Sequence, residues 1–193
     1  WAKRRHTRMF IQTEETPNPA TLKFLPGQSV LEEGTANFEL GDELESSPLA
    51  KLLFSIEGVV GVFFGNDFIT ITKGEGVFWE HIKPALLGTM MEFMQSGKEI
   101  IEGKNDKSAH ASHEGPDTEI VKRITDLLDT RVRPAVAQDG GDITFQSFEE
   151  GIVYLHMQGA CAGCPSSTMT LKMGIENLLK HYVPEVVEVR PVA

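Results

Sequence analysis

The chain is poor in cysteine, in positive charge and in long apolar runs. Two cysteines among 193 residues exclude a disulfide framework. Lys and Arg number 18 against 28 Asp and Glu, a net charge of −10. A chain this acidic repels nucleic-acid phosphates and anionic lipid, so neither nucleic acid nor membrane is expected as a partner. No run approaches the ~20 apolar residues of a membrane-spanning helix. What is present suits a folded core: 40% hydrophobic and 24% charged residues exclude wholesale disorder. At ~100–200 residues per domain, the length admits one domain or two small ones.

Charge and composition divide the chain. Residues 1–8, WAKRRHTR, carry a net +4 with no acid. They read as an unstructured arm, with the remnant of an Arg-rich targeting peptide as the alternative. Taking Met9 as a start residue favours a bacterial cytosol; the mitochondrial matrix is the other reducing compartment to consider. Residues 9–97 carry a net −9 and form the first module. Residues 98–117 read as a linker, since Gly103 to Asp117 hold no large apolar residue and Gly115-Pro116 punctuates the end. Residues 118–193 form the second module. The expected class is α+β: two small α/β-type domains joined by a flexible linker.

In the first module, Met9 to Gln12 reads as a strand start and Thr16-Pro17-Asn18-Pro19 as a turn. Thr21 to Leu25 reads as a strand. Ser47-Pro48 opens a short helix through Phe54. Val59–Phe64 and Phe68–Thr72 form a hairpin around Gly65-Asn66-Asp67. Val77 to Gln95 is helical, with Phe78, Ile82, Leu86, Met90, Phe93 and Met94 at three- or four-residue spacing. His81 is given no role. Met90, Met91 and Met94 read as core rather than as an adaptable binding surface. This module is expected to bind or position a partner, and it carries no catalytic cluster.

The second module reads α-β-β-α-β. Ile120, Val121, Ile124, Leu127, Leu128, Val132 and Val136 mark a helix capped at Asp117 or Thr118 and bent or ended at Pro134. Asp139-Gly140-Gly141-Asp142 reads as a tight turn. Ile143–Phe148 and Ile152–Met157 are strands around Glu149-Glu150-Gly151. Val153, Leu155 and Met157 share one face, and Ile152, Tyr154 and His156 the other. A helix follows from Pro165 and ends before Pro184, and Glu185–Arg190 is a last strand.

Both cysteines, Cys161 and Cys164, lie on the loop entering that helix. Two intervening residues let both sulfurs face one point, as a metal or cluster site requires. Gly159, Ala160, Ala162 and Gly163 remove bulk around them. Pro165 at the first helical position leaves the positive end of the helix facing the pair, which favours thiolates. Three chemistries compete: thiol–disulfide exchange, structural zinc, and an iron–sulfur cluster. Zinc or a cluster needs about four ligands, and the chain offers two thiols. His156 is a strand residue and reads as structural; His110 and His113, an HxxH in the linker, read as incidental. Two copies of the chain would supply four thiolates across a symmetric contact. Exchange needs no second copy, but its helix usually begins at the first cysteine rather than after the second.

The run DTRVRPAVAQDGGDITFQSFEEGIVYLHMQGACAGCPSSTMTLKMGIENLL, Asp129 to Leu179, resembles the C-terminal domain of NifU. MFIQTEETPNPATLKFLPG, Met9 to Gly27, resembles the N-terminal domain of the mitochondrial and alphaproteobacterial Nfu scaffold proteins. The resemblance implies a non-enzymatic iron–sulfur scaffold or carrier. Cys161 and Cys164 would be the ligands of a [4Fe–4S] cluster held between two protomers of a homodimer. Upstream cluster-assembly proteins would supply it and apo iron–sulfur clients would receive it. The N-terminal domain would serve partner recognition.

Overall fold

The structure, a computed structural model, describes residues 10–102, 115–162 and 165–192, with the side chains of 165–168 left aside. The expected arm at 1–8 and most of the expected linker therefore lie outside the described residues.

In the first module, strands β1 (Gln12–Glu15), β2 (Thr21–Leu25), β3 (Ala36–Glu39), β4 (Val59–Phe64) and β5 (Ile69–Lys73) form one antiparallel sheet in the order β1-β2-β5-β4-β3. Helices α1 (Pro48–Phe54) and α2 (Trp79–Ser96) accompany it. Ser47 starts α1 as its composition demands: its Oγ accepts the Ala50 N–H at 3.2 Å. Strand β1 starts at Gln12 rather than Met9. Strand β3 has no counterpart in the sequence reading. It is four residues long amid Gly, Thr and acidic residues, and becomes a strand by pairing Ala36 with Phe64 and Phe38 with Val62.

The apolar core lies on one face of this sheet, where Leu22, Phe24, Val62, Phe64, Ile69 and Ile71 meet Leu49, Leu53, Leu86, Met90 and Phe93. Met90 is fully buried, and Met91 and Met94 pack against the core. The core also takes in Ile100, which moves the linker's expected start at Lys98 further along the chain. Ile100 is buried, its carbonyl accepts the Ser47 hydroxyl at 2.7 Å, and Glu102 N donates to Ser46 O.

The second module contains α3 (Thr118–Leu127), a π-helical turn (Leu128–Val132), α4 (Arg133–Gln138), β6 (Gly141–Glu149), β7 (Ile152–Gly159), α5 (Pro165–Tyr182) and β8 (Glu188–Val192). The π turn is where the expected bend at Pro134 is absorbed. Proline has no N–H to offer the preceding turn, so the wider turn sits just before it. Neither Asp117 nor Thr118 makes a capping bond to the helix interior: Asp117's side chain makes none, and the Thr118 hydroxyl donates back to Gly115 O at 2.6 Å. Strands β6 and β7 pair antiparallel, turned at Glu150 and Gly151, both with positive φ. Strand β8 pairs parallel to β7, which requires the α5 crossover between them. It begins at Glu188 rather than Glu185, because Val183 and Val186 are first buried under the end of α5. Ile143, Phe145, Val153, Leu155 and Met157 form the sheet's share of a second core with Val121, Ile124, Leu128, Ile175 and Leu179. Among the described residues no helix is long and apolar enough to cross a membrane.

The two modules touch. Strand alternation leaves Thr21 and Lys23 on β2, Thr70 on β5 and Phe63 on β4 facing away from the first core. That face would meet water in an isolated sheet, yet Thr21, Lys23, Thr70 and Phe63 are all buried. Lys23, Thr70 and Phe63 stand in register across three neighbouring strands. What covers them is the cysteine end of the second module.

Candidate functional site

Cys161 follows directly on the turn that ends β7, where its N–H donates to Gln158 O at 3.3 Å. It is buried, 6% exposed, and belongs to the second core. Cys164, His110 and His113 lie outside the described residues. His156 sits on β7 opposite Thr144, on the face away from the core, and lines a groove between the modules that Cys161 also borders. His81 is exposed on α2 with its ring edge-on to Phe78.

Two glycines explain why Cys161 can sit there. A side chain at Gly141 would collide with Cys161 Sγ, and its Cβ would lie 2.9 Å from Cys161 N. The thiol thus fills the space that Gly141 leaves empty. Gly140 has φ +81°, a left-handed conformation that favours glycine, and its carbonyl accepts the Ala160 N–H at 3.2 Å. The Asp139–Asp142 segment is therefore a cradle for the first cysteine as well as a turn. Asp142 itself stands within β6.

Asp142 is 3% exposed, and its charge is compensated on several sides. Arg133 Nε and Nη2 donate to its two oxygens at 2.8 and 2.9 Å, and Ile143 N donates to Oδ1 at 2.8 Å. The Thr35 hydroxyl of the first module donates to Oδ2 at 2.8 Å. Hydrogen bonding to Asp142 raises the Arg133 pKa. This bidentate contact ties α4 to the start of β6.

The electrostatics of the thiol differ from the expectation drawn from the helix dipole. Burial pushes the Cys161 pKa up to about 12, and the Asp139 and Asp142 carboxylates push in the same direction. In this arrangement Cys161 is a protonated thiol. A cleft of about 420 Å³ reaches it, lined by Val136, Asp139, Cys161, Thr170 and Leu171 and closed on one side by Pro17 of the first module. Among the described residues no three His, Cys, Asp or Glu side chains group as a metal site.

The sequence reading missed the roles of Gly141, Asp142 and Arg133. A signal existed: an acid beside two glycines, followed directly by an apolar strand, needs a partner and an explanation for its missing side chains.

Two family models match the chain. One, described as the scaffold protein Nfu/NifU N terminal, covers residues 11–97, and the other, the NifU-like domain, covers residues 124–190. An iron–sulfur cluster scaffold homolog, mitochondrial, of Drosophila sechellia is 54% identical over 187 residues, or 95% of this chain and 65% of its own length. NifU-like protein 5, mitochondrial, of Arabidopsis thaliana is 51% identical over 190 residues, covering 96% of this chain and 68% of its own length. NifU-like protein 4, mitochondrial, of the same plant is 50% identical over 181 residues, or 92% of this chain and 64% of its own length. The chain thus spans about two thirds of the length of these curated relatives. With both domain models matched in sequence order and half of all positions shared with such relatives, the chain belongs to the Nfu/NifU-like family of scaffold proteins.

Proposed function

We propose that the chain is an iron–sulfur cluster scaffold and carrier that binds and hands over its cargo rather than turning over a substrate. The observation that carries this reading is the placing of Cys161. It sits on a glycine-cradled turn leading into α5, inside the NifU-like domain. One chain offers two thiols, and a [4Fe–4S] cluster takes four. Cys161 and Cys164 of two protomers supply that number across an isologous contact. A cluster held this way is released when thiolates of an apo-client replace the scaffold's thiolates one at a time, as in thiol exchange generally. The partners are then cluster-assembly proteins upstream and apo iron–sulfur proteins downstream. The mitochondrial names of the relatives favour the mitochondrion over the bacterial cytosol expected from Met9.

The alternative of a thioredoxin-like dithiol redox protein is disfavoured by the same cysteine. Such chemistry wants an exposed first thiolate of low pKa, whereas Cys161 is buried and its pKa is pushed up to about 12.

The test is transfer. The loaded chain is mixed anaerobically with an apo-protein that has four open cysteine ligands, and cluster arrival is followed in the acceptor. Arrival that depends on Cys161 and Cys164 supports the reading. Acceptor filling at the same rate with a Cys161→Ala chain, through free iron and sulfide, overturns it.

A further inference from the structure

We propose that the first module is a reversible lid on the cysteine end of the second, and that it must swing away before two protomers can share a cluster. This proposal rests on the carrier reading above for its cargo, but the lid itself is read independently of any cluster.

The contact is built rather than incidental. Lys23, Thr70 and Phe63, in register across the sheet, each meet a different part of the cysteine cradle. Lys23 Nζ donates to Gln138 O at 3.0 Å, and the Thr70 hydroxyl donates to Gly140 O at 2.7 Å. The Phe63 ring lies where a Cβ on Gly159 would approach to 3.1 Å. Two further bonds flank this row: Asn18 Nδ2 to Ala162 O at 3.0 Å and Thr35 Oγ1 to Asp142 Oδ2 at 2.8 Å. Ala162 lies between the two cysteines. With these groups occupied, Cys161 is 6% exposed and is reached through the cleft of about 420 Å³ beside Pro17. A second chain bringing two thiolates would have to displace the first module from this side of Cys161 and Ala162.

The contact is also made to open. The covering face carries Lys23 and Thr70, whose polar groups water satisfies as well as the second module does, beside the one apolar ring of Phe63. The closed form strands the amide oxygen Oε1 of Gln158 beside Cys161's turn, buried without a hydrogen-bond partner; opening hydrates it. Residues 103–117 hold no large apolar side chain. At ~3.3–3.6 Å per residue, fifteen residues have a contour length of about 50 Å, the upper limit on how far the modules can part without either unfolding.

The test compares the full chain with Thr70→Lys, which drives a charge into the middle of the row yet stands on a solvent face once the lid is open. Thr70→Val removes the bond at constant volume, and Glu57→Lys adds the same charge at an exposed, distant position. Maleimide modification of Cys161, assigned by peptide mass, reads the lid without cluster. Formation of the cluster-bridged dimer at fixed iron and sulfide reads its consequence. Both rates are expected to rise about tenfold in Thr70→Lys, in proportion to the open fraction, less in Thr70→Val and not at all in Glu57→Lys. Circular dichroism confirms that each variant is folded, and an unfolded Thr70→Lys leaves Thr70→Val to decide. Unchanged modification of Cys161 in a folded variant overturns the lid. Faster modification with unchanged dimer formation overturns its gating role. If modification accelerates but no chain binds cluster at all, the lid stands as a shield of the thiol, and the carrier reading fails together with the gating of cargo.

Discussion

The two ends of the second module's sheet are built on opposite terms. At the far end, Phe145, Phe148, Val153 and Leu155 meet Leu128, Leu179 and Val189 in an ordinary apolar core. At the cysteine end, the same strands carry Asp142, Thr144, Gln158 and glycines, all buried, with Asp142 held by Arg133 and by Thr35 of the covering module. The first end supplies stability through close packing. The second spends some of that stability on a cradle for a thiol and a face that can be uncovered. The lesson is that the site is visible as the place where burial and polarity coincide.

That contrast can be broken most sharply at the apolar end. Leu155→Ala removes a fully buried side chain and is expected to cost about 2–5 kcal/mol through lost transfer and a residual cavity. Chemical denaturation reads the loss, and cluster binding falls only as the fraction folded falls. Arg133→Met tests the cysteine end. It leaves the Asp142 carboxylate buried with Thr35 and one backbone N–H. The expected cost is about 2–3 kcal/mol, below that of a fully buried pair because Arg133 is partly exposed. Here cluster binding should suffer beyond the loss of stability, since Asp142 anchors the strand beside Gly141.

Gly141→Ala sharpens the comparison further. The new methyl competes with Cys161 Sγ for one space, so overpacking of about 1–3 kcal/mol is expected. Combining it with Cys161→Ala should restore only the part of that loss due to the thiol, since the close approach to Cys161 N and Gln158 O remains, and a double-mutant cycle measures the coupling. Additive losses would show that the thiol and the glycine do not share the space.

The smallest effect concerns the far edge of α5. Glu176 accepts from Lys180 Nζ at 2.9 Å and from Val189 N at 3.2 Å, and these bonds hold its carboxyl below the usual range. A depressed carboxyl contributes above its unfolded pKa and is lost as pH falls through the folded value. Amide protection at Val189 should therefore weaken once pH drops below about 4.3. Glu176→Gln should remove that pH dependence while leaving the cysteine end unchanged.

Much of the architecture was legible from periodicity. The α-β-β-α-β order, the facing of Val153, Leu155 and Met157, and the Ser47-Pro48 helix start all follow from local chemistry. Strand β3 was not legible, because its strand character comes from β4 rather than from its own four residues. The docking of Ile100 was hidden by its position beside a polar stretch. At the site, the cysteine spacing stood out, but the helix-dipole argument pointed Cys161 toward a thiolate. Burial of Cys161 in the second core and the carboxylates of Asp139 and Asp142 act against it, and both depend on contacts distant in sequence.

The measurement that tests the central claim most directly is anaerobic reconstitution of the full chain with iron and sulfide, with iron content and mass in solution determined on the same sample. About four irons per two chains, in a dimer that disappears with Cys161→Ala, is the predicted result. A colourless monomer that cycles a Cys161–Cys164 disulfide, or a Cys161→Ala chain that still holds a full cluster, would contradict the account.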